Sequence, residues 1–184
     1  MVSKSKTNTI EKRYLPEFVY GGIDGAITTF AIVAGSAGAS LGANVALILG
    51  FANLFADGFS MAVSNYLSVK SEHEMNGRTK RSYQANNEFK HPIKAGFVTF
   101  ISFMLIGFIP LISLVIGALF PGAAAHQVLY SLILTGLALF LVGALKGLVA
   151  NARWFWSAVE TLVVGGIAAL LAYAVGLGIH TLVV

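Results

Sequence analysis

The stretch Asn53-Leu54-Phe55-Ala56-Asp57-Gly58-Phe59-Ser60-Met61-Ala62-Val63-Ser64-Asn65 sits inside an apolar run covering roughly residues 43–68. A run of this length matches the ~20 residues with which an α-helix crosses ~30 Å of hydrocarbon. Within it Asn53, Asp57, Met61 and Asn65 recur at every fourth position. Residues four apart share one face of a helix. The segment therefore reads as a membrane helix carrying one polar stripe, with Ser60 and Ser64 beside it. A charged carboxylate at the bilayer centre costs ~2.5 kcal/mol or more, so such a group faces a bundle interior and marks function. Asp57, in mid-span, is the residue on which this argument turns.

Four further apolar runs flank this one, at roughly 20–40, 94–117, 127–149 and 157–180. All are continuous rather than alternating, which indicates helices and not barrel strands. The composition agrees: 57% of the 184 residues are hydrophobic and 11% charged, against about 25% charged in a soluble domain. The expected fold is an all-α membrane protein of about five transmembrane helices. Residues 1–184 form a single transmembrane domain, with a polar segment at 1–17 and a basic loop at 69–93. Lys4, Lys6, Lys12 and Arg13 before an apolar stretch ending in Ala37-Gly38-Ala39-Ser40 outline a signal sequence. Asp24, a glycine cluster and the later apolar runs favour its retention as the first membrane helix. There is no cysteine, which excludes disulfides and thiolate metal sites.

The basic residues set the orientation. The four just named precede the first span; Lys70, Arg78, Lys80, Arg81, Lys90 and Lys94 lie between the second and third; Lys146 and Arg153 flank the connection of the fourth and fifth. These are all twelve Lys and Arg residues of the chain. Positively charged loops remain cytoplasmic, so the N-terminus is expected inside and the C-terminus outside. The net charge of +4 then records topology, and lipid rather than nucleic acid is the expected surroundings. A multi-pass protein of the cytoplasmic (plasma) membrane is the expected location.

Two more acids fall in apolar runs, Asp24 and Glu160. Glu160 is near a helix start, where the dipole tolerates a carboxylate. Asp24 and Thr28 are four apart, and packing of the first two helices brings two carboxylates and the Met61 thioether into one crevice. Carboxylate and amide oxygens suit divalent cations, and a thioether favours the softer transition metals. Asp24, Asp57, Met61, Asn53, Asn65 and Thr28 are thus the candidate metal ligands, and Asp24 and Asp57 the candidate proton carriers. Met61 as a plain packing residue stays open. Gly21 and Gly25 form one G-x-x-x-G and Gly143 and Gly147 another, patterns that bring helices close together. Around Asp24 the glycines serve either such packing or an opening of the helix at a transport site. Pro110 predicts a kink in the third span. His126 and His180 are too dispersed to form a ligand set. Outside metal transport, an exporter of organic cations is open, with Phe30, Phe55 and Phe59 near the acids for cation–π contact. So is a membrane assembly protein that transports nothing. An intramembrane aspartyl protease lacks its Gly-x-Gly-Asp pattern.

Gly22-Ile23-Asp24-Gly25-Ala26-Ile27-Thr28-Thr29-Phe30 with Ala34-Gly35 resembles the first helix of the vacuolar iron transporter family. Ala56-Asp57-Gly58-Phe59-Ser60-Met61-Ala62-Val63-Ser64-Asn65-Tyr66-Leu67 with Lys70-Ser71-Glu72 resembles its second, and Gly143-Ala144-Leu145-Lys146-Gly147 the end of its fourth. The resemblance implies a five-helix protomer that forms a homodimer and exports Fe²⁺ or Mn²⁺ from the cytoplasm in exchange for protons, with no bound cofactor. It also implies that Asp24 and Met61 lie on the ion path, near the two-fold axis. Two departures stand out. The plant and yeast-type relatives carry a long metal-binding insert between helices two and three; here that connection is about 25 residues, and Glu72, Glu74, Met75 and Glu88 are not assigned the insert's role. An acid is also expected in those relatives where Asn53 stands, and Asp57 one turn later is its substitute.

Overall fold

The computed structural model describes residues 3–78, 90–120 and 126–183, with side chains from residue 13 onward and up to 75 in the first of these segments. Among the described residues the chain forms six α-helices: α1 (Ser3–Gly38), α2 (Ala43–Arg78), α3 (Pro92–Gly107), α4 (Ile109–Leu119), α5 (Gln127–Val149) and α6 (Trp154–Val183). Four are long and apolar enough to cross a membrane, and α3 with α4 makes a fifth, broken span bent by 46°. The break lies where the sequence places its kink. Pro110, in the first turn of α4, has no N–H and its ring excludes the carbonyl one turn back. Ser131 of α5 donates to the Pro110 carbonyl at 2.7 Å, fastening the break to its neighbour. The architecture is an all-α membrane protein.

The first two helices are longer than their apolar runs. α2 continues to Arg78, so the segment read as a loop over 69–93 begins as helix, and residues 79–89, which include Glu88, lie outside the described residues. α1 likewise reaches back to Ser3 through the segment 1–17 and passes through Pro16. The α1–α2 turn falls at residues 39–42, slightly before the predicted Gly42-Ala43-Asn44. There Leu41 N–H bonds the Ser36 carbonyl at 2.9 Å and Ser40 N–H the Ala37 carbonyl at 3.1 Å, closing a Schellman turn. Ser40 occupies its left-handed position with φ 54°. The α5–α6 turn repeats the device with Asn151 at φ 51°.

α1 is the central helix and packs against all the others. Its glycines explain how. A Cβ on Gly21 would meet Ser102 Oγ and lie 2.6 Å from the Thr99 carbonyl oxygen; one on Gly25 would lie 2.5 Å from that of Phe103. The backbones of α1 and α3 thus touch where the G-x-x-x-G falls. Gly143 and Gly147 do the same for α5 and α6, with Cβ positions 2.8 Å from Thr161 and 2.6 Å from Trp154 Cα. Half of the apolar window of α1 is buried, against 11% for α6. α6 is apolar all round, as a helix facing lipid must be.

The connections sort into two ends. The start of α1, the end of α2, the start of α3 and the α5–α6 turn lie at one end and carry the Lys and Arg residues. The α1–α2 turn, the end of α4, the start of α5 and the end of α6 lie at the other.

Candidate metal path

All four residues of the α2 stripe, Asn53, Asp57, Met61 and Asn65, are half-buried, while Phe55, Phe59 and Ser60 around them are exposed. The fourfold spacing therefore corresponds to one helix face turned partly inward. Asp24 of α1 is half-buried too, and its carboxylate is close enough to that of Asp57 for the two charges to interact. Two membrane acids from different helices are thus within electrostatic reach of one another.

The stripe leads into a cavity of about 380 Å³ between the basic ends of α1 and α2, lined by Pro16, Glu17, Tyr20, Met61, Ser64, Asn65 and Ser68. Met61 lines it, and also packs against the apolar cluster of Val33, Ala46, Leu54, Phe103, Leu111 and Leu114. Asn65 donates to Thr99 Oγ1 of α3 at 2.6 Å, and Thr99 passes the bond to the Ala95 carbonyl at 3.0 Å. With its amide nitrogen so held, Asn65 keeps its carbonyl oxygen for the cavity. Asn53 lies beyond Asp57, and its Nδ2 is buried without a hydrogen-bond partner. Thr28 donates to the Asp24 carbonyl at 2.8 Å, so its hydroxyl proton is committed to α1 while its oxygen lone pairs are not. Asp24 itself borders a second, largely apolar cavity with Tyr20, Ile23, Lys146 and Val149.

Sequence reasoning missed Glu17. It is buried at 7% exposure, borders the first cavity, and accepts a hydrogen bond from Lys90 at 2.6 Å. One signal was available: Glu17 precedes Asp24 by seven residues, two helical turns, and so shares its face. Glu160 pairs with Lys146 at 3.0 Å at the basic end, and both are exposed, which fits a helix-end charge. Among the described residues, Phe30, Phe55 and Phe59 do not form an aromatic cage around the acids. Phe30 is buried in a separate cluster with Ala34 and Ala169, and Phe55 and Phe59 are more than half exposed. Glu72, Glu74 and Met75 lie on the last turns of α2, with Glu74 4.0 Å from Lys70. Among the described residues no three His, Asp or Glu side chains gather into a metal cluster. Of the sequence-predicted ligands, Met61 and Asn65 line the cavity between α1 and α2, and Asp24 lines the second one, between α1 and α5.

The sequence profile of the VIT family matches residues 15–88 and 77–177. The chain belongs to the VIT family. Its relatives in that family include a protein of Toxoplasma gondii named vacuolar iron transporter, 27% identical over 94% of this chain and 76% of that protein. A vacuolar iron transporter of Plasmodium berghei is 24% identical over 95% of this chain and 85% of its own length. Vacuolar iron transporter 1 of Arabidopsis thaliana is 25% identical over 85% and 82%. The first of these alignments runs over 231 residues, longer than the chain itself, and the VIT match divides at residues 77–88. Both facts agree with a short form that lacks an insert after α2.

Proposed function

We propose that this VIT-family protein transports a divalent transition metal, Fe²⁺ or Mn²⁺, out of the cytoplasm through the α1–α2 crevice in exchange for protons. The observation that carries this reading is that Asp24 and Asp57, two half-buried membrane carboxylates on neighbouring helices, lie within electrostatic reach of one another. Two like charges in a low-dielectric setting call for a cation between them. A divalent ion satisfies both, and Met61, Asn65 and Asn53 on the same face add the softer and neutral donors that a transition metal accepts. The same carboxylate oxygens take protons when the metal leaves, because metal and proton compete for them. The names of the relatives support iron as a substrate. The basic end is read as cytoplasmic, with the N-terminus inside and the C-terminus outside. The cavity then opens toward the cytoplasm.

The stripe on α2 also supports a pair of copies. A half-exposed Asp57 would meet lipid unless another surface covered it, and a second copy of the chain on this face, related by a two-fold axis, provides that cover.

The test is Mn²⁺ and Fe²⁺ flux into proteoliposomes with and without a pH gradient. Asp24→Asn and Asp57→Asn are expected to abolish flux while the protein still purifies as a folded species. Full flux through either variant would overturn the assignment, and flux indifferent to the pH gradient would overturn the exchange.

A further inference from the structure

Glu17 is placed where a carboxylate needs a cation. It is 93% buried by its 7% exposure, and the mechanism above makes no use of it. Its Oε1 accepts from Lys90 Nζ at 2.6 Å. Its Oε2 is buried without a hydrogen-bond partner. A carboxylate has about four lone-pair sites, so one buried oxygen of this group is left unmet beside a cavity lined also by Met61, Ser64 and Asn65. Lys90 lies two residues before α3, its side chain is 33% exposed, and the next residue is fixed to α1 by His91 N–H to Tyr14 Oη at 2.8 Å. The ammonium thus reaches Glu17, which borders the cavity, from a backbone anchored next to it, on a stem that is partly open to solvent.

We propose that Glu17 is a second divalent-metal station at the mouth of the crevice, and that Lys90 fills it as a tethered substitute cation which the incoming ion displaces. This rests on the transport reading for its direction, from mouth to Asp24. A rise of ~1.5 Å per residue puts Glu17 about 10 Å from Asp24 along α1, a spacing for two stations in series. The ammonium supplies one positive charge and meets one oxygen. A divalent ion brings twice the charge, engages both oxygens of Glu17, and finds the Asn65 carbonyl and the Met61 sulfur on the facing helix. Lys90 then turns outward into solvent without moving the backbone that carries it. The station binds metal only as tightly as the competition with Lys90 allows, since a site competent for a fraction of the time loses affinity by that fraction.

Mn²⁺ binding to the full chain in detergent, followed by loss of the free-ion EPR signal, tests this. Lys90→Gln is expected to raise apparent Mn²⁺ affinity about tenfold, as for a site otherwise free about a tenth of the time. Glu17→Gln is expected to lower it, and Lys90→Gln in the Glu17→Gln background to change nothing further. If the pair is only a clasp between α1 and α3, Lys90→Gln lowers thermal stability and leaves Mn²⁺ affinity unchanged or weaker, which overturns the proposal. Undetectable Mn²⁺ binding by Lys90→Gln at millimolar ion overturns it as well. The exchange Glu17→Lys with Lys90→Glu restores a clasp but not the station, and recovery of wild-type affinity by it would count against the station. Asp24→Asn separates this from the transport reading. Loss of flux with the Glu17 and Lys90 effects on binding intact supports both; unimpaired flux with those effects intact leaves the station standing and removes the transport assignment.

Discussion

Gly25→Ala places one methyl group where the backbones of α1 and α3 touch. The added Cβ would lie 2.5 Å from the Phe103 carbonyl oxygen, 3.0 Å from its Cα and 3.1 Å from its carbonyl carbon. All three are backbone atoms of α3, so no side-chain rotation relieves the overlap. Ordinary contact between such atoms is near 3.5 Å, so α1 and α3 must separate by about 1 Å. Overpacking of this kind costs about 1–3 kcal/mol, while Ala in place of Gly returns about 1 kcal/mol of helix propensity. The expected net loss is about 0–2 kcal/mol, a fall of up to roughly 8 °C in Tm for a chain of this size, and about 1–3 kcal/mol against a glycine-to-alanine change that meets no neighbour. Gly166→Ala on α6 is the control, because a Cβ there meets nothing within 4 Å and the variant should be as stable as the parent or more so. Asp24 neighbours Gly25, so displacement of α1 also shifts its carboxylate against Asp57, and metal flux should fall with stability. Thermal unfolding in detergent, read beside flux in proteoliposomes, measures both. Equal Tm values for the two variants and unaltered flux through Gly25→Ala would refute the close contact of α1 and α3.

Asn65→Ala removes the 2.6 Å bond to Thr99 and a cavity oxygen together; a loss of about 0.5–1.5 kcal/mol and a raised KM for metal are expected, and an unchanged KM would take Asn65 off the path. Asn53→Asp adds a third carboxylate one turn from Asp57, so metal KM should fall and turnover slow, both visible in flux measured over a range of Mn²⁺ concentrations. Ser40→Gly relieves a left-handed serine with φ 54° and is expected to raise stability by about 0.5–1 kcal/mol, checked by thermal unfolding.

Much of the bundle could be read from the chain because membrane spans announce themselves by length and by exclusion of charge. The run at 127–149 coincides with α5, and Pro110 marked the break between α3 and α4 because a missing N–H is a local fact. The ends of α1 and α2 were not legible. Both helices run on into polar sequence, where hydropathy falls silent while helix propensity does not, so residues 69–78 read as loop and fold as helix. Nor does the chain say which helix is central. That follows from backbone approach at Gly21 and Gly25, and a G-x-x-x-G names a close contact without naming its partner, here Thr99 and Phe103 of α3.

The site divides along the same line. The stripe from Asn53 to Asn65 lies within one helix, so its spacing alone fixed the shared face. That Asp24 falls within electrostatic reach of Asp57 follows from the packing of adjacent helices. Asn65 with Thr99 and Glu17 with Lys90 join residues 34 and 73 positions apart, and no periodicity links such distant pairs. Glu17 was further concealed by its place near the end of a span, where a charge is cheap and draws no notice. Its burial, and not its identity, makes it significant. The sparseness of the whole set has a physical sense as well. Among the described residues no cluster of three acids or imidazoles forms, and ion affinity rises with the number of charged ligands and the rigidity of the cage. On the proposed reading, two carboxylates on separate helices would hold a divalent ion weakly enough to release it. A third fixed acid would favour retention over passage, which is why Asn53→Asp is expected to bind better and turn over more slowly.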